Sequence, residues 1–264
     1  MNAIKSVIRS IIVAFSLYSR IPMPVFTWQE KDMKHAISAL PLIGAVIGGL
    51  SFAVFKVTGI FEFPHLSIIL LLSVLPLIIT GGFHMDGIMD VQDARNSYQD
   101  RQKKLKIMKD PHIGAFSVIS VIIYGMIWFA FFNLLISNTL KKGSYNYLYI
   151  YMVSFFIVRA ACGLTSILFE KARRDGMLNT ETKSTGGADK IVLTAELLLG
   201  MGVMLFLDII GGIISIAAIV LFTVYYKAMC SKNFGGVTGD TAGFYICVCE
   251  EAVMVCISLA AFFA

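Results

Sequence analysis

The sequence predicts an all-α, polytopic membrane protein with about seven transmembrane helices preceded by an amphipathic one. Three observations carry this. Of the 264 residues, 57% are hydrophobic and 15% charged. Mean hydropathy is +0.78, beyond the range of a water-soluble domain of this length. Apolar runs of about 17 to 25 residues, the length that crosses a bilayer as helix, recur along the whole chain.

The first element is the amphipathic helix. Ile4, Val7, Ile8, Ile11, Ile12 and Phe15 recur at helical spacing, with Lys5 and Arg9 off that stripe. No small-x-small cleavage site follows, so the segment reads as an interfacial or bundle-packed helix rather than a signal peptide. Pro22 and Pro24 stop it. The spans then fall near 39–58, 66–83, 115–137, 146–169, 191–207, 209–227 and 241–264, with 191–227 either a hairpin or something less regular around Asp208 and Gly211-Gly212. They form a single domain, 1–264, with polar segments near 84–114, 170–190 and 228–240. Of these, 175–190 is the most loop-like.

Lysine and arginine set the expected orientation. The N-terminal arm (Lys5, Arg9, Arg20, Lys31, Lys34), the segment after the second span, the one after the fourth (Lys171, Arg173, Arg174, Lys183, Lys190) and the one after the sixth are basic. The alternate side holds only Lys141 and Lys142, with Lys56 at a span end. This places the N-terminus and the polar segments in the cytoplasm. The net charge of +5 follows from topology and needs no nucleic-acid partner. Five cysteines form no C-x-x-C pair and read as small core residues in a reducing setting.

Chemistry concentrates in GGFHMDGIMDVQDA, residues 81–94. If this stretch is helical from about Gly87, Asp90 lies about 40° round from Asp86 and Asp93 about 20° the other way, so three carboxylates share one stripe. Like charges at that spacing destabilise a helix. They are either solvated acids at a helix start or ligands of a hard cation, Mg²⁺ or Mn²⁺, that leaves room for substrate phosphates. The basic run that follows, closed by Lys109 and Asp110, favours metal-assisted phosphoryl transfer. His84 is open between general base, ligand and helix-entry residue. Arg159 lies inside the fourth span, where a charge needs a partner. Glu196 or Asp208 could supply an ion pair, and a pyrophosphate is the alternative. The turn KNFGGVTGDTAG, residues 232–243, would offer backbone amides to an anion, and it adds Asp240. Glu250, deep in the last span, is a site or ion-pair candidate.

These motifs resemble the adenosylcobinamide-GDP ribazoletransferase (cobalamin synthase) family over nearly the full length. The resemblance runs through AFSLYSRIPMP, LPLIGAVIGGL, GGFHMDGIMDVQDA with KLKIMKDPHIGAF, ARRDGM at 172–177 and GGVTGDTAG at 235–243. It implies a multi-pass enzyme of the bacterial inner membrane, acting with Mg²⁺ on a corrinoid nucleotide and α-ribazole or its 5′-phosphate, with other cobalamin-assembly enzymes as partners. Under it, Asp86, Asp90 and Asp93 match the family acids, Asp110 matches the M-K-D acid beside the metal, and Asp240 matches the T-G-D acid. Lys109, Arg159, Arg173 and Asp240 are expected to bind substrate, with Asp93 or His84 as base. The chain departs from the family at Ala94, where glycine is usual, and at Ile246 and Cys247, where Asn and Glu are. Two other readings are a CDP-alcohol phosphatidyltransferase, whose D-x-x-D-G-x-x-A-R the chain lacks at Ala94, Ser97 and Tyr98, and a cation transporter, whose site would lie near the bilayer midplane.

Overall fold

A computed structural model describes residues 3–173, 175–183 and 185–263; Arg174 lies outside them. The described residues form α1 (Ala3–Tyr18), two short 3₁₀ turns, α2 (Leu40–Ile60), α3 (His65–Thr80), α4 (Phe83–Asn96), α5 (Arg101–Ile107), α6 (Ala115–Lys142), α7 (Asn146–Leu168), α8 (Met177–Lys183), α9 (Gly187–Leu207), α10 (Ile209–Phe234) and α11 (Gly239–Phe263), with no strand among them.

Six of these helices are long and apolar enough to cross a membrane: α2 with its leading turn (Ile37–Ile60), α6, α7, α9, α10 and α11. The expected second span, 66–83, is not a plain crossing. Gly81 (φ 65°) and Gly82 (φ 78°) both take the left-handed conformation that only glycine adopts freely, and α3 meets α4 there at 88°. The apolar arm is α3; α4 turns away from it and carries the acids, the two together forming a bent candidate span. Helix α4 begins at Phe83, four residues before Gly87, so His84 stands in its first turn, at the helix entry.

The core forms around α7, whose Tyr151, Phe155, Ile157, Val158 and Arg159 are all buried. Close approach depends on glycine. A Cβ on Gly44 would collide with the Phe155 carbonyl and one on Gly48 with that of Met152, so the Gly-x-x-x-Gly spacing lets α2 lie directly on α7. The 191–227 passage is a hairpin. Asp208 ends α9 and caps α10 by accepting from the Gly211 amide at 2.7 Å, while a Cβ on Gly212 would stand 2.9 Å from the Leu205 backbone.

The N-terminal helix buries only the later part of its apolar stripe. Phe15 is buried with Ser10, Val13, Ala14 and Tyr18, and Ile11 packs against the core, whereas Val7 and Ile8 are about half exposed. Arg9 explains the entry. Its Nε and Nη2 donate to the two carboxylate oxygens of buried Asp32, each at 2.8 Å, a paired fork that anchors α1 over the following segment. The stretch 175–190, expected as loop, holds α8 and the start of α9. Asp189 fixes that start, accepting from Ser38 Oγ at 2.8 Å and from the Gly186 amide at 2.8 Å. Ala94 is helical and buried, so this departure from glycine costs no backbone strain.

Candidate active site

Helix α4 lies against α11 because both present glycine at the crossing. A Cβ on Gly87 would collide with the Asp240 carbonyl, and one on Gly243 would come within 3.1 Å of the His84 carbonyl. This crossing brings acids from two distant segments together. Asp86 and Asp240 line one cavity of about 270 Å³, and Asp90 stands one turn further along α4. Partial burial and the charges of Asp86, Asp240 and Asp93 push Asp90 up to about 7. That repulsion is the observation a bound cation would relieve.

The cavity also has a cationic wall, lined by Lys109, Lys171 and Arg173. A short pairing holds it in place. Val237 N donates to Glu170 O at 2.8 Å and Ala172 N to Val237 O at 3.0 Å, and Gly236 fits there because any Cβ would strike Ala172 N at 2.6 Å. Arg173 Nη2 donates to Leu105 O at 2.5 Å, while its Nε is buried without a partner. Lys109 Nζ meets Asp175 Oδ2 at 2.9 Å, and burial lowers Lys171. Lys171 and Asp175 belong to this wall unanticipated; the only sequence signal was a basic count. Most amides of the glycine-rich turn are paired within the protein. Those of Gly235, Gly236 and Val237 bond the Ser231, Cys230 and Glu170 carbonyls, and Thr238 N bonds Thr241 Oγ at 2.8 Å, with Thr241 N returning to Thr238 Oγ at 3.2 Å. The turn is a helix start that presents Asp240.

The remaining candidates sit elsewhere. Asp93 holds the start of α6, accepting from Gly114 N at 2.7 Å, Ser117 N at 2.9 Å and Ser117 Oγ. Asp110 is about half exposed and bonds His112, whose amide and ring hold its carboxyl below the usual range; it is not among the residues lining the cavity. His84 is buried and lines a separate cavity together with Arg159. Arg159 pairs with Glu250 at 2.5 Å and donates to Phe155 O at 2.9 Å. Its partner is thus Glu250 and neither Glu196 nor Asp208. Asp86, Asp240, Lys109 and Arg173 line one cavity, and Asp90 adjoins its two acids; Asp93 is close enough to raise Asp90 but is bound to α6, and Asp110, His84 and Arg159 do not line that cavity.

The converging acids offer carboxylate oxygens alone, the donor type of Mg²⁺, which is ordinarily held by one or two carboxylates with substrate phosphates and water completing the shell. Among the described residues no three His, Cys, Asp or Glu side chains already stand in metal-holding geometry. Asp86 and Asp240 are two such carboxylates on one cavity. A paired-acid and cationic cleft of this kind can hold a nucleoside diphosphate ester and offset the charge of its departing phosphate.

The family model for cobalamin-5-phosphate synthase matches residues 10–258. A protein of Lachnoclostridium phytofermentans named adenosylcobinamide-GDP ribazoletransferase is 36% identical over 92% of this chain and 90% of its own. Proteins of the same name from Clostridium botulinum strain Alaska E43 and Clostridium perfringens strain 13 are 34% and 31% identical, over 93% and 92% of this chain and 95% and 94% of theirs. No solved structure matches the chain. Neither a lipid synthase nor a transporter is supported by these relatives. With its acids and cations gathered at one α4–α11 crossing, the chain belongs to the cobalamin-5-phosphate synthase family.

Proposed function

We propose that the protein transfers the phosphocorrinoid part of adenosylcobinamide-GDP to α-ribazole or its 5′-phosphate, the reaction for which its relatives are named. A ribose hydroxyl oxygen forms a bond to the corrinoid-side phosphorus, the bond from that phosphorus to the GMP oxygen breaks, and the hydroxyl proton passes to the acid cluster. The products are adenosylcobalamin, or its 5′-phosphate, and GMP. The observation that carries this reading is one cavity lined by the acids Asp86 and Asp240 together with the cations Lys109, Lys171 and Arg173. Arg173 brings an unpartnered Nε–H suited to a phosphate oxygen, and the lysines balance charge on departing GMP. Asp86, Asp90 and Asp240 would hold Mg²⁺, which when bound neutralises phosphate charge. Asp93 positions α4 against α6 rather than facing the reacting atoms. The basic end of the bundle, with this cavity, faces the cytoplasm of a bacterial inner membrane, in keeping with the lysine and arginine bias.

Asp86→Asn and Arg173→Ala test the two walls. Asp86→Asn should abolish turnover at any attainable Mg²⁺ concentration, while Arg173→Ala should lower kcat/KM for adenosylcobinamide-GDP by about a hundredfold. Wild-type turnover in both folded variants would remove the cavity from the reaction.

A further inference from the structure

A second cavity, of about 230 Å³, opens within the membrane-facing body between α3, α4, α6, α7 and α11. Its walls are apolar and aromatic, with Tyr124, Trp128 and Phe129 from α6. Two polar atoms stand out among them. His84 and Arg159 both line the cavity, are 4% and 1% exposed, and leave His84 Nδ1 and Arg159 Nε buried without a partner. Orphan polar atoms cost free energy unless a ligand meets them. A guanidinium N–H can only donate, so the ligand must present an acceptor on a flat, otherwise apolar body. The volume lies under the range of about 300–1,000 Å³ typical of drug-sized ligands, so one fused-ring base fits and a whole nucleotide does not.

The cavity borders on the acids. Leu77, Thr80 and Met85 line both it and a broad groove of about 890 Å³ that also carries Asp86. A molecule with its ring inside and its sugar in the groove would bring a ribose hydroxyl toward Asp86. Resting on the transfer reaction proposed above, we infer that this intramembrane cavity binds the benzimidazole base of the acceptor riboside, whose unsubstituted ring nitrogen accepts from Arg159 Nε–H or His84. His84 is then an acceptor-positioning residue rather than a base. A lipid chain would satisfy the apolar walls but not the two orphan atoms.

Binding and turnover test this separately. In Trp28→Phe protein, Trp128 is the one remaining tryptophan, and titrating α-ribazole into nanodiscs should quench its emission saturably, with guanosine having no effect. Gly125 lines the cavity and faces open space, so Gly125→Phe should fill it without a clash; Val121→Phe is a second filling from the same helix. Both should raise KM for α-ribazole 5′-phosphate on the order of tenfold and leave KM for adenosylcobinamide-GDP unchanged. An unchanged acceptor KM in folded filled variants, or Trp128 emission that follows phospholipid composition and ignores α-ribazole, would overturn the inference while leaving the transfer reaction standing. A saturable Trp128 response in protein that makes no GMP would instead support the cavity and defeat the reaction.

Discussion

Asp90 has the most telling electrostatics in the molecule. Its carboxyl, pushed up to about 7 against 3.8 in a free side chain, binds its proton more tightly in the folded than in the unfolded state. Stability of the metal-free protein should therefore fall as pH rises between about 4 and 7. Asp90→Asn removes that penalty, so its melting temperature should exceed wild type at pH 8 and converge with it near pH 4, while turnover is lost. Thermal melts in EDTA across that range check the sign; a destabilised variant at pH 8 would mean that Asp90 holds the fold rather than a cation. The buried Arg159–Glu250 pair behaves oppositely. Glu250→Leu leaves an uncompensated charge and should cost about 3–5 kcal/mol, most of it recovered in Arg159→Met/Glu250→Leu, as SDS unfolding titrations would report. The three acids of the 81–94 stretch were visible in the sequence as one stripe, but their division of labour was not. Asp93 looks equivalent to Asp90 by angle, and only the packing of α6 assigns it to Gly114 and Ser117. Arg159 likewise announced a need for a partner, whereas its identity depends on a contact 91 positions away.

At the level of elements, glycine decides how close the helices come. Gly44 on α2 and Gly87 on α4 both face a backbone carbonyl of the next helix, whereas Gly49 faces nothing within 4 Å. Gly44→Ala and Gly87→Ala should each be destabilising or inactivating, and Gly49→Ala close to neutral. Gly87→Ala should in addition separate Asp86 from Asp240 and weaken Mg²⁺ binding, measured by calorimetry; equal stability and activity in all three would contradict the packing. Apolar runs made the spans legible in sequence because each lipid-crossing helix must cover its own length with apolar residues. The bend after α3 was harder to read. Gly81-Gly82 signals a break, yet an 88° turn and a helix beginning at Phe83 follow from α4 lodging against α6 and α11, which local sequence does not encode. For the same reason the polar stretch 175–190 read as loop although it folds into α8.

For the whole molecule, the bundle separates a basic end, with the acid-lined cavity, from an opposite end marked by Lys141 and Lys142. With the basic end in the cytoplasm, a membrane-impermeant thiol reagent outside intact cells should label cysteine placed at Asn138 and spare one at Ser97; the reverse pattern would invert the topology. Asp86 lines both the basic cavity and the broad groove, so ligands in either would meet at one helix. Phosphoryl transfer is tested most directly by supplying purified protein in nanodiscs with adenosylcobinamide-GDP, α-ribazole 5′-phosphate and Mg²⁺ and quantifying both products by chromatography. Adenosylcobalamin 5′-phosphate and GMP should form in equal amounts, abolished by EDTA and restored by Mg²⁺; folded, metal-supplied protein that forms neither product would contradict the transfer.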